Sequence, residues 1–115
     1  MPLQAGDWTA NVGGTQMQFK ISGVDPQGNV TALFGFAGLE APGFWDEDSQ
    51  RLTLLRSTQL FVGYLFTDPV NLTGVSGSVV FTLAGVVEDL MPGAFGPAPT
   101  AKRSAFGWYA QIGVD

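Results

Sequence analysis

A chain of 115 residues with 45% hydrophobic and 12% aromatic side chains carries enough apolar mass for one packed domain, residues 1–115. Ten acids against five bases give a net charge of −5, which excludes the basic stripe that nucleic acid or an anionic membrane surface requires. Cys and His are both absent, so a thiolate–imidazole zinc site, a Cys or Ser–His nucleophile and a His general base are excluded.

The first strand is expected at Gly6–Val12, with Trp8, Ala10 and Val12 on one face and Asp7, Thr9 and Asn11 on the other. Gly13-Gly14 supplies the positive φ of a tight turn. Gln16–Ser22 alternates Met17, Phe19 and Ile21 against Gln16, Gln18, Lys20 and Ser22, so one face is buried and one is wet. Asp25-Pro26-Gln27-Gly28 reads as a turn, with Pro presetting φ at its second position. Asn29–Phe36 is the third strand, in which Gly35, with Gly38 beyond it, suggests bulges. Ala37–Pro42 reads as a short loop carrying Glu40.

Three strands with no room for a helix follow between Gly43 and Asp68. Phe44-Trp45 opens the first, Arg51–Ser57 is the second and Leu60–Thr67 the third. Asp46-Glu47-Asp48 sits in the turn between the first two. Three successive acids match neither the alternate spacing of a calcium loop nor two carboxylates set across a cleft, so they read as a solvated turn. Asp68–Val75 is a loop, Ser76–Val87 a long strand, Glu88–Lys102 the longest loop because of its Pro and Gly content, and Arg103–Ile112 the last strand. About eight short strands joined mainly by tight turns predict an all-β fold, an antiparallel up-and-down barrel without a helix.

The run GDWTANVGGTQMQF, followed by GNVTALF after the Asp25–Gly28 turn, resembles the opening of the avidin–streptavidin barrels. There a Gly-x-Trp, an Asn and a Gly-containing turn precede an apolar second strand, and Gly-x-x-Thr leads to an aromatic. The resemblance implies an eight-stranded barrel. It does not carry biotin binding with it: Asn11 stands one residue late, and Phe34 falls where the family presents a Tyr hydroxyl. Thr15 could replace the family's turn Ser. A buried ureido group would lose about 1–3 kcal/mol for each missing partner.

The residues able to form a ligand site are Asn11, Thr15, Phe34, Trp45, Arg56, Tyr64 and Trp108, as mostly apolar walls with a few polar groups. The plain alternative is that the aromatics fill the core. Arg56 shares a face with Leu52 and Leu54 by period two, so it points inward and needs a partner, for which Asp46 and Glu47 are candidates, or it ends at the wet rim. No catalytic residue, metal ligand or cofactor is expected.

Charged residues are only 13%, against about 25% in ordinary domains. Leu60–Phe66 and Val79–Val87 are apolar on both faces, which predicts a homo-oligomer joined through the carboxy-terminal strands, with the Glu88–Lys102 loop as the alternative cover. The amino terminus MPLQAGDW lacks a secretory pattern, so a cytoplasmic setting is expected. The function that follows is a non-catalytic module binding a small apolar or mixed-polarity molecule at the barrel mouth or interior. The alternative is a structural protein with a filled barrel acting through its surface.

Overall fold

The computed structural model describes residues 1–35, 39–56, 58–67, 72–92 and 101–115. The chain forms eight strands: β1 (Gly6–Val12), β2 (Thr15–Val24), β3 (Asn29–Phe34), β4 (Leu39–Asp46), β5 (Arg51–Arg56), β6 (Gln59–Thr67), β7 (Val79–Pro92) and β8 (Ala101–Val114). Each pairs antiparallel with its sequence neighbours, and β8 returns to β1, so the sheet closes as an up-and-down barrel. Closure leaves a full barrel without sheet edges along its shared length. The seam pairs Thr9–Val12 with Gln111–Trp108.

Local chemistry explains the turns. Gly13 and Gly14 have φ of +58° and +91°, the conformation a two-residue hairpin turn needs. At the next turn, the Gly28 N–H donates to the Asp25 carbonyl at 3.0 Å. The Asp25 carboxylate accepts the N–H groups of Gln27 and Asn29 at 2.9 and 2.8 Å. The irregularity expected near Gly35 lies elsewhere: β2 shifts register between Ile21 and Val24, where Gly23 has φ of +115°. Gly35 itself begins a turn.

Three expected boundaries change. Residues 39–42 belong to β4 rather than to a loop. Pro42 is tolerated because it lies opposite Thr31 of β3, while the register with β5 begins only at Gly43 opposite Leu54. The long strand starts at Val79 rather than Ser76. Of the expected Glu88–Lys102 loop, Glu88–Pro92 and residues 101 and 102 are ladder: β7 runs to Pro92 and β8 begins at Ala101, which pair directly. Residues 93–100 lie outside the described residues, as do Phe36 and Ser57 of the expected strand ends.

Period-two alternation decides what lies inside. Trp8, Ala10, Phe19, Ile21, Val30, Ala32, Phe34, Leu52, Leu54, Phe61, Leu65, Leu83, Val87, Trp108 and Ala110 form one buried core. Its middle is a closed circuit of rings. Phe19 meets Phe34 at 5.4 Å, Phe34 meets Phe61 at 5.2 Å, Phe61 meets Trp108 at 5.6 Å, and Trp108 returns to Phe19 at 6.4 Å. Trp8 stacks on Phe19 at 6.2 Å. Trp8–Phe19 and Phe19–Phe34 are stacked, Phe34–Phe61 is tilted, and the two Trp108 contacts are edge-on, so side chains fill the cross-section. The Trp108 indole N–H donates to the Val62 carbonyl at 3.1 Å.

Outside, one area departs from the usual polar surface. Thr82 and Gln111 face one another on the outer side of β7 and β8, yet both are buried. Residues 72 and 73 cover them. Gln111 Oε1 accepts the N–H groups of Leu72 and Thr73 at 2.8 and 3.0 Å and the Thr73 hydroxyl at 3.0 Å. Its Nε2 donates to Thr82 Oγ1 at 3.0 Å. Part of the outer face is thus covered by the segment after β6.

Candidate functional site

The two ends of the barrel differ in what they offer. At the end carrying the Asp25–Gly28 and Glu47–Gln50 turns, a groove of about 620 Å³ is lined by Leu3, Gly28, Phe44, Trp45 and Glu47, among others. Its polar groups already serve the fold. The Trp45 indole N–H donates to Glu47 Oε2 at 2.6 Å, and the amino group of Met1 lies 3.2 Å from Glu47 Oε1. The indole bond, with the amino group beside it, holds the Glu47 carboxyl below the ordinary glutamate value. The Asn29 backbone N–H does the same first for Asp25, and the Ser49 hydroxyl first for Asp46. The three-acid turn is organised from within: Asp46 accepts Ser49 Oγ at 2.9 Å and Asp48 N–H at 3.2 Å.

The other end opens beside the Gly13-Gly14 turn. A cavity of about 430 Å³ there is lined by Gln16, Met17, Gln18, Phe34, Gly35 and Arg56. Its volume lies within the roughly 300–1,000 Å³ range of small-molecule pockets. Phe34 is the ring of the core circuit that lines this mouth. The guanidinium carbon of Arg56 stands over its ring at 5.0 Å from the centroid. Period two had left Arg56 either inward with a carboxylate partner or ending at the wet rim; it is half-buried at the mouth.

The expected carboxylate partners are not there. Asp46 pairs in register with Arg51, at the far end of the hairpin from Arg56. Asp46 and Glu47 therefore belong to the opposite mouth. Five residues of strand at about 3.4 Å each separate Arg51 from Arg56, which no side chain bridges. Across the mouth, Asp89 is engaged by the Thr58 hydroxyl at 3.0 Å and Gln59 Nε2 at 3.4 Å. Among the described residues, Arg56 makes no ion pair and no hydrogen bond, and its interaction is with the Phe34 ring face.

The seven candidate residues therefore separate. Phe34 and Arg56 meet at the 430 Å³ mouth. Thr15 is exposed on the rim strand beside it. Trp108 lies deeper, buried in the aromatic circuit with its indole bonded. Trp45 is at the opposite end. Asn11 lies between the inward Ala10 and Val12 and so faces out, where its Oδ1 accepts the Gly14 N–H at 2.9 Å. Its role is to brace the turn. Tyr64 also faces out, 49% exposed, because Phe61 and Leu65 take the interior. Met17, Gln16 and Gln18 were not among the expected site residues. Met17 was findable, since it shares the inward face with Phe19 and Ile21 and is the member nearest the turn.

Comparison of the chain with protein-family models finds no match, and comparisons with curated proteins and with solved structures find none either.

Proposed function

We propose that the protein is a non-catalytic binding module that takes a small molecule at the mouth lined by Met17, Phe34 and Arg56. The observation that carries this reading is the guanidinium of Arg56 over the Phe34 ring, on the wall of a cavity of about 430 Å³. The filled aromatic circuit leaves the mouth, rather than the interior, as the place for a ligand. The avidin-like opening then marks a shared barrel plan without biotin binding. Asn11 is turned outward to its own hairpin, and Phe34 has no hydroxyl to give. The test is a small-compound screen by NMR on isotopically labelled protein. Shifts gathered at Met17, Phe34, Gly35 and Arg56, and removed by a mouth-filling Met17→Trp substitution, support the reading. Hits that leave these residues unmoved overturn it.

A second reading concerns the outer face of β5–β7. Leu55, Tyr64 and Val86 are 52%, 49% and 47% exposed, and Leu60 and Phe66 flank them. The register sets Val62 beside Val86 and Tyr64 beside Ala84, so these side chains form one continuous apolar surface. In this reading the barrel is a homo-oligomer that buries this face against a second copy. The face differs from the expected one: it takes in Leu55 of β5 and leaves out β8, and within β6 Leu65 is inside while Tyr64 and Phe66 are outside.

A further inference from the structure

We infer that the mouth selects an anion, specifically a carboxylate carried on a flat apolar body; the inference rests on the mouth being the binding site. A ring beneath a guanidinium engages its charge and consumes none of its five N–H donors. Among the described residues those donors have no protein acceptor, and Arg56 is half-buried, so part of its hydration is already lost. A carboxylate has two oxygens that match the planar fork of arginine, as a phosphate does, and its single charge is the one that a lone guanidinium balances.

The rest of the wall fits the other half of such a molecule. Phe34 and Met17 offer an apolar floor, and Gln16 and Gln18, neutral residues of the exposed face of β2, border the cavity. No acid lines the cavity among the described residues. The acid across the mouth, Asp89, is held by Thr58 and Gln59. This matters in a chain of net charge −5, whose overall field repels anions. A cation in a cavity that no described acid lines provides a local positive site within an acidic protein. A cationic ligand would meet Arg56 as a like charge. A neutral apolar ligand would cover the donors without pairing them, which is costly for a charged group. The groove at the other end has the opposite character, since Asp25 and Glu47 line it.

The experiment compares 2-naphthoate with its neutral carboxamide, titrated by NMR against the whole chain and against Arg56→Gln and Arg56→Lys. The expected result is that naphthoate binds at least tenfold more tightly than the amide, with shifts at Met17, Phe34 and Arg56. Arg56→Gln should remove the preference, and Arg56→Lys should keep only part of it, because an ammonium lacks the fork. Equal affinities of acid and amide for the wild-type chain would overturn the anion inference while leaving the mouth as a binding site. A preference that survives Arg56→Gln would do the same. Failure of both probes to shift the mouth residues, together with a screen that finds no mouth binder, would overturn both readings. The wild-type comparison needs no variant to fold.

Discussion

The indole of Trp108 lies against Gly63, so close that a Cβ on Gly63 would stand 2.5 Å from Cζ2 of the ring. The ring cannot step aside freely, because its N–H is bonded to the carbonyl of neighbouring Val62 and its edge meets Phe61. Gly63→Ala should therefore destabilise the fold by about 1–3 kcal/mol, the usual cost of overpacking a filled core. Urea denaturation followed by tryptophan fluorescence would measure it. A midpoint equal to that of the wild type would mean that the aromatic circuit has slack.

Gln111 is the buried amide that anchors residues 72 and 73 to the outer face. Gln111→Leu keeps the bulk but leaves two backbone N–H groups and the hydroxyls of Thr73 and Thr82 short of a partner. A loss of about 1–3 kcal/mol is expected. The local signature is faster amide exchange at Leu72 and Thr73. Protection unchanged at both residues would show that the segment is held by other contacts.

Stability should fall in acid. Asp25, Asp46 and Glu47 all have carboxyls held below their ordinary values by hydrogen bonds made only in the folded chain. A depressed folded value means that the unfolded chain binds protons more readily. The contribution is then complete above the unfolded values, from about pH 5 upward, and fades as pH drops through the folded ones. Thermal midpoints measured from pH 7 to pH 2 should hold steady and then decline below about pH 5. Asp25→Asn, which keeps one oxygen acceptor but no charge, should flatten part of that decline. An identical acid profile for wild type and Asp25→Asn would remove this carboxylate from the account.

If a second copy covers the outer face, a charge at its centre should separate the copies. Val86 is exposed and sits beside Val62 on that face. Val86→Lys should shift sedimentation toward the monomer while leaving the far-ultraviolet spectrum of the barrel unchanged. Interfaces that persist bury roughly 1,200–2,000 Å², and a lysine at the centre of one would be buried without a partner. Wild-type protein sedimenting as a monomer at high micromolar concentration would retire the oligomer.

Much of the barrel was legible because its faces alternate cleanly. Trp8, Phe19 and Ile21 were assigned inward by period two, and they are buried. Arg56 was placed by the same rule either inward with a partner or at the wet rim. Its partner was misjudged because pairing was inferred from charge and not from hairpin register, which sets Asp46 against Arg51. The β4 segment from Leu39 to Pro42 was hidden by its proline, whose meaning depends on which neighbour it faces, a fact of topology rather than composition. The ladder from Glu88 to Pro92 was obscured in the same way by the Pro and Gly content around it. Tyr64 could not be placed from sequence, since β6 is apolar on both faces and the pleat alone decides which set turns in.

The β1–β8 seam is the long-range pairing of the sheet. It joins Thr9 to Gln111, roughly 100 residues apart along the chain, whereas every other strand pair is a neighbour in sequence. Seven hairpin contacts can form locally, but none of them closes the cylinder. Bringing the two ends of the sheet together adds a loop entropy that grows as the logarithm of the intervening length. The last step of assembly is then the meeting of β1 and β8, and relaxation in the millisecond-to-second range common to β-rich domains is expected. A substitution in this seam, such as Ala10→Gly, which lies opposite both Ala110 and Met17, should leave protection of the β3–β7 hairpins intact and slow the final phase if the seam is formed in the transition state.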